Sequence, residues 1–209
     1  MELLKNITKE NIELFSKFND LNVTCNFYFE HPDKDGKIKA NIKGDVNDKL
    51  LNTFWDIEEK YNDNVRGKWF EEQVKGIDIN FSSPGGSCYT CFQIVDFVRL
   101  WNENHQAKIN FHAQGIVASA GVIIFLMGEK RTASLNSLFM IHELHSWIDG
   151  KLTEMKDYIH GFQLVQNLLN KIILERSSMT EEKFNELVKH DYFFTPQEAL
   201  EIGIVHEII

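Results

Sequence analysis

The sequence is poor in cysteine, with three in 209 residues: Cys25, Cys88 and Cys91. An odd, small number in a chain able to bury its own core excludes a disulfide-stapled scaffold. It fits reduced thiols in a cytoplasm. No apolar run is long enough for a bilayer, since the most apolar stretch, Gly115 to Met127, is too short to cross one. The start, Met-Glu-Leu-Leu-Lys-Asn, lacks the basic and apolar regions of a secretion signal. Positive charge is also scarce. Lys and Arg number 22 against 31 Asp and Glu, a net charge of −9, and no block of five like charges occurs. This balance argues against a nucleic-acid or anionic-membrane partner, both of which want a basic face. The sequence has neither G-x-G-x-x-G nor Gly-Lys-Ser/Thr, so a phosphate loop is excluded as well. What remains is 43% hydrophobic and 25% charged. That is a globular mix of single-domain length, and it is neither disordered, collagen-like nor coiled coil.

Periodicity divides the chain into two styles. Glu2 to Leu21 has helical spacing, and Asn22 to Glu30 alternates as a strand does. The turn Pro32 to Gly36 then leads to a second alternating run, Lys37 to Lys43, so the three read as a hairpin. Asp48 to Asn62 reads as a helix, and the polar Asn62 to Gly76, with Trp69 and Phe70 inside it, as a surface insertion. From Gly76 strands and helices alternate. Ile77 to Phe81 is a strand, Ser82 to Ser87 a sharp turn, and a helix follows with Cys91, Val95 and Val98 on one side. Lys108 to Ala113 reads as a strand, Val117 to Met127 as a buried helix, and Thr132–Ala133 and Ser137 to His142 as short strands. An amphipathic helix with Met155, Ile159, Phe162, Leu169 and Ile172 ends near Arg176. Thr180 caps a further helix, and Thr195-Pro196-Gln197-Glu198 is a capping box opening a short one that ends at Gly203, before a last strand Ile204–Val205. The expected fold is α/β, a parallel sheet with helices packed on it.

Four groups of residues offer chemistry. Ser119, in Gly-Ile-Val-Ala-Ser-Ala-Gly, is either part of a small-residue packing patch or a nucleophile at a helix N-terminus. Val117 stands where a nucleophile elbow has its first glycine, so this is not an α/β-hydrolase motif. Ser-Ser-Pro-Gly-Gly-Ser at 82–87 is either a plain turn or one whose backbone N–H groups approach an oxyanion. His142 closes a strand, 23 residues after Ser119, and Asp191 lies 49 further on. A serine hydroxyl needs a neutral imidazole to take its proton, and the imidazole needs a carboxylate to fix its tautomer. Cys88 and Cys91 have half a zinc site's spacing without a second pair, and read as two small buried thiols on one helical turn. His145 reads as a surface or supporting group and His190 as solvent-facing.

Gly-Ile-Asp-Ile-Asn-Phe-Ser-Ser-Pro-Gly-Gly, Gly-Ile-Val-Ala-Ser-Ala-Gly, Phe-Met-Ile-His and Asp-Tyr-Phe-Phe-Thr-Pro-Gln-Glu-Ala-Leu-Glu-Ile-Gly-Ile-Val, in that order, resemble the ClpP family. These are the proteolytic subunits of Clp proteases, including ClpP-like peptidases carried by phages. Abundant Asn, Lys and Ile fit an AT-rich genome of that sort. The resemblance implies a ClpP/crotonase-like fold of repeated ββα units with a protruding helical handle, here about Thr153 to Arg176. It implies a single peptidase domain over 1–209, with a divergent part at 1–75 and the catalytic core and handle at 76–209. It also implies a serine endopeptidase acting on unfolded polypeptides and short peptides, without metal or other cofactor. Ser119 matches the nucleophile, His142 the general base, Asp191 the orienting carboxylate, and the N–H groups of Gly86 and Ala120 the oxyanion hole. The implied assembly is a homo-oligomer of two stacked heptameric rings, served by a AAA+ unfoldase such as ClpX or ClpA. The chain departs from the family in having Glu143-Leu144 after the histidine and little glycine around 150–153. A crotonase-type acyl-CoA enzyme and a catalytically silent ring subunit are the alternatives.

Overall fold

The computed structural model describes residues 24–28, 36–65 and 74–209. The expected N-terminal helix over Glu2 to Leu21, most of the Pro32 to Gly36 turn and the region around Trp69 lie outside the described residues. Strands β1 (Thr24–Tyr28) and β2 (Lys37–Lys43) pair antiparallel, as the hairpin reading requires. Helix α1 (Asp48–Val65) follows, opened by the Asn47 side chain, which accepts from the N–H groups of Lys49 and Leu50.

The parallel part of the sheet is laid down next. Strand β3 (Gly76–Ser83) pairs with β2 on one side and with β4 (Lys108–Ala118) on the other, with helix α2 (Cys88–Asn104) crossing between them. Alternation sorts the side chains. Ile77, Ile79 and Phe81 of β3 and Ile109, Phe111 and Ala113 of β4 are buried under α1 and α2. Asp78, Asn80, Asn110 and His112 are half-buried on the opposite face. β5 (Arg131–Ala133) and β8 (Glu207–Ile208) extend the sheet in the order β1-β2-β3-β4-β5-β8.

Strand β4 has two sets of neighbours. The register between β3 and β4 shifts between Phe81 and Ser83, opposite Gly115, whose φ is +80°. Such an irregularity bends a strand and re-aims it. Before the bend β4 pairs with β5 through Phe111, His112 and Ala113. After it, Ile116, Val117 and Ala118 pair with β6 (Leu138–Ile141), which in turn pairs antiparallel with β7 (Tyr192–Phe194). The expected buried helix over Val117 to Met127 is therefore corrected. The strand runs on to Ala118, and helix α3 is only Ala120–Phe125. A continuous apolar run carries no period with which to separate a buried strand from a buried helix.

Helix α4 (Leu152–Arg176), α5 (Glu181–Leu187) and α6 (Pro196–Glu201) complete the chain. Thr180 accepts from Lys183 N–H, and Thr195 and Glu198 form the expected capping box. The last strand is corrected as well. Ile204 and Val205 are buried but belong to no strand, because Arg131 Nε bonds Ile204 O and β8 begins only at Glu207. A line of ring contacts, Phe54–Phe111, Phe111–Phe125, Phe125–Phe139 and Phe139–Phe194, runs through the core from α1 to β7. Each buried ring contributes roughly 1.5–3 kcal/mol. Together they fix β4, α3, β6 and β7 as one rigid block, and the ends of these four elements carry the candidate site.

Candidate active site

Ser119 lies between β4 and α3 with φ +53° and ψ −127°, and among the described residues it is the one non-glycine with positive φ. An L side chain is strained there, at a cost of about 1–3 kcal/mol. The surroundings hold it in place. Its N–H donates to Met140 O at 2.8 Å, continuing the β4–β6 ladder, and its carbonyl accepts from Val122 N–H at 2.9 Å inside α3. The result is a hydroxyl standing clear of both elements.

β6 ends at Ile141, so His142 is the first residue beyond the ladder. Its Nε2 lies 2.8 Å from Ser119 Oγ. The β6–β7 register pairs Phe139 with Phe194, Met140 with Phe193 and Ile141 with Tyr192, and one further step faces His142 with Asp191. Their Nδ1–Oδ1 separation is 3.3 Å, long for a hydrogen bond, and the carboxylate is exposed to water. The three groups that the sequence singled out across 72 residues are thus brought into one line.

The 82–87 turn closes the other side. Gly85 has φ +102° and Gly86 φ +147°. A Cβ on Gly85 would meet Ser119 Cβ at 2.6 Å, and one on Gly86 would meet Val46 O at 2.5 Å, so both positions demand glycine. Val46 N–H bonds Gly85 O and Ser87 N–H bonds Val46 O, each at 2.8 Å. In such a parallel bridge the middle residue's own N–H points the opposite way. Gly86 therefore directs its N–H away from Val46, toward the cavity that it lines with Ser119, Ala120 and His142. Ala120 is the first residue of α3, so its N–H has no acceptor within the helix. Two backbone donors are available beside one serine hydroxyl.

The cavity measures about 220 Å³. Its lining is apolar at Cys88, Ile123, Leu144, Leu169, Ile173 and Phe184 and polar at His142, Glu143, His145 and Gln166. Sequence reading missed Leu144, Gln166, Leu169, Ile173 and Phe184 as wall residues, because a cavity wall drawn from four elements has no local signal. Cys91 is buried, as expected, with burial pushing its thiol well up, and its Sγ lies 3.4 Å from Ala120 O. Cys88 is corrected to half-buried, with its thiol raised by the same cause. His190 is exposed, as expected, and so is His145. Among the described residues no group of three or more His, Cys, Asp or Glu gathers to hold a metal, and no helix is long and apolar enough to cross a membrane.

A hydroxyl, an imidazole and a carboxylate in line, with two free N–H groups beside them on an α/β scaffold, are the equipment of a serine-type hydrolase. The family model described as Clp protease matches residues 69–209. The ATP-dependent Clp protease proteolytic subunit 1 of Bacillus cereus (strain ATCC 10987 / NRS 248) is 33% identical over 141 residues, covering 66% of this chain and 71% of the relative. The chain belongs to the Clp protease family and is a serine peptidase of the ClpP type. Neither alternative, the acyl-CoA enzyme or the silent ring subunit, has an observation in its favour.

Proposed function

We propose that the chain cleaves peptide bonds through an acyl-enzyme formed on Ser119. The observation that carries this reading is the 2.8 Å contact between Ser119 Oγ and His142 Nε2. Nε2 takes the hydroxyl proton as Oγ attacks the scissile carbonyl, and Asp191 holds the proton on Nδ1 so that Nε2 is free to accept. The carbonyl oxygen, now negative, is taken by the N–H groups of Gly86 and Ala120, which are fixed before the reaction and reorganise little during it. His142 then gives its proton to the leaving amine, and a water repeats the sequence to release the acid. No step needs a metal or an organic cofactor.

The apolar wall favours substrates with one medium-sized apolar side chain on the acyl side of the cleaved bond. The substrates are unfolded polypeptides and short peptides, cleaved inside a chamber of two stacked heptameric rings in the cytoplasm. One domain spans residues 1–209. The relative's name includes ATP dependence, which supports an unfoldase of the ClpX or ClpA kind as the feeding partner.

Labelling with a fluorophosphonate, followed by peptide mapping, tests the reading. The expected adduct is on Ser119, absent in Ser119→Ala, with peptide hydrolysis lost on the order of 10³- to 10⁶-fold in that variant. Wild-type-like turnover by Ser119→Ala removes serine catalysis at this site.

A further inference from the structure

The chain behind His142 has little of its own to hold it. From His142 to Asp149 the backbone forms no regular structure, although the imidazole must keep an angstrom-scale relation to Ser119. Two hydrogen bonds fix this exit. Glu143 N–H donates to Val188 O at 3.1 Å, which ties it to the end of α5, three residues before Asp191. Leu144 N–H donates to Gln166 Oε1 of α4 at 2.5 Å. An N–H can only donate, so the atom it meets is the amide oxygen. This orients the Gln166 amide, whose Nε2 donates to Asn170 Oδ1 at 2.6 Å, one helical turn along. Gln166 is thereby held at both ends, in a wall shared with His142 and Leu144.

We infer that Gln166 is a positioning residue for the peptidase reaction: by holding the Leu144 N–H it fixes the exit of the chain behind His142, and with it the imidazole's reach to Ser119. The inference rests on the reading of Ser119 and His142 given above. An apolar side chain of the same size leaves the Leu144 N–H without its acceptor, and the exit must shift to find water. A shift of the order of an angstrom at a catalytic base costs roughly 10- to 100-fold in rate while leaving the substrate's own contacts in place. A carboxylate at the same position still accepts from Leu144, and the Asn170 amide can turn its Nδ2 toward it.

The test compares Gln166→Leu and Gln166→Glu in kcat and KM on a fluorogenic peptide with an apolar residue before the cleaved bond. Fluorophosphonate labelling rates are read on the soluble, assembled fraction only, so misfolded protein does not count. For Gln166→Leu the expected result is a kcat roughly 10- to 100-fold lower with KM within about twofold of wild type, the pattern of a lost transition-state contribution. Gln166→Glu is expected to recover most of the rate. Three results overturn the proposal: unchanged kcat and labelling in Gln166→Leu, a raised KM at unchanged kcat (the mark of a direct substrate contact), or a loss in Gln166→Glu as large as in Gln166→Leu. A wild type that takes no label at Ser119 overturns the reading of the site itself, and the proposal with it.

Discussion

His142 and Asp191 face each other across the β6–β7 pair, one step past the last ladder partners, Ile141 and Tyr192. Strand pairing, rather than proximity in sequence, aligns the imidazole with its carboxylate. The other edge of the same β6 strand pairs with β4 and places Ser119 at the Nε2 side of the ring. A three-strand arrangement thus presents base, carboxylate and hydroxyl at one edge.

Asp191→Asn tests the first of these contacts. An asparagine amide donates where the carboxylate accepts, so it favours the imidazole tautomer with its proton on Nε2, which cannot accept from Ser119. The expected loss in kcat is roughly 10²- to 10⁴-fold, with KM little changed. His190→Ala and His145→Ala leave turnover nearly unchanged, since both side chains are exposed and it is His142 that bonds Ser119 and faces Asp191. Steady-state kinetics on one peptide decide it. A loss in His145→Ala as deep as in His142→Ala means that the base has been misassigned.

Gly86→Ala reports on the oxyanion donors. The new Cβ meets backbone atoms of Val46 at 2.5 to 3.1 Å, and none of these can swing aside. The turn must open, and the Gly86 N–H leaves its aim. Losing one such donor costs roughly 10²- to 10³-fold in kcat. Circular dichroism of the variant separates this from unfolding. Near-normal turnover in a folded Gly86→Ala protein rules out an oxyanion role for this N–H.

How much of this was legible beforehand depended on the range of the signal. The antiparallel pairing of β1 with β2, the Thr180 and Thr195 caps and the long helix are local patterns that the sequence marks plainly, whereas the 82–87 turn is shorter than its pattern, because Ser82 and Ser83 still belong to β3. The stretch after Gly115 was misread because strand β4, buried by neighbours on either side of its bend, is apolar without alternation. Ser119, His142 and Asp191 were legible only through family resemblance, since composition offers many such trios and only the β4–β6–β7 register selects one. Gln166 gave no signal at all. A glutamine at residue 166 of an amphipathic helix looks like solvent-facing polarity until the Leu144 N–H is placed opposite it.

The histidine on the open face of the sheet predicts a pH dependence of stability. His112 Nδ1 lies 2.8 Å from Thr132 Oγ1 and its Nε2 2.9 Å from Ser134 Oγ, in a groove shared with Asp78, Asn110 and Lys130. Burial lowers its pKa below the ordinary 6.5. The folded state thus prefers the neutral ring, and below about 6.5 the unfolded chain binds the proton more readily. This part of the stability is complete above pH 6.5 and is lost as pH falls below it. His206, lowered by burial and by the charges of Arg131 and Arg176, acts in the same direction. Urea unfolding at several pH values between 7.5 and 5.5 is expected to show wild-type stability falling, with a shallower slope in His112→Gln. Equal slopes in the two proteins remove His112 as a source.

The last prediction concerns α4, whose two ends behave differently. Near its C-terminal end Leu169 and Ile173 are 8% and 5% exposed and pack on the core. Toward its start Leu152 is 70% exposed and Ile159 46%, with Tyr158 also in water and Trp147 at 88% just ahead of the helix. Of the expected stripe, then, Leu169 is buried, Met155, Phe162 and Ile172 are half-covered, and Ile159 is open. Each large apolar side chain left in water forgoes roughly 1.5–3 kcal/mol, and a patch of this kind marks an interface. Packing one α4 against another across a two-fold axis buries the patch on both copies at once. If that contact joins two heptameric rings, native mass spectrometry of the wild type finds fourteen chains of 24.4 kDa, about 342 kDa. Ile159→Asp, which places two like charges face to face in the joint, yields species of half that mass or less. The charge lies far from the core, so the folded chain itself survives the change. A wild type that is monomeric at micromolar concentration and still hydrolyses peptides defeats the chamber, because α4 then has no partner and Ser119 needs no enclosure.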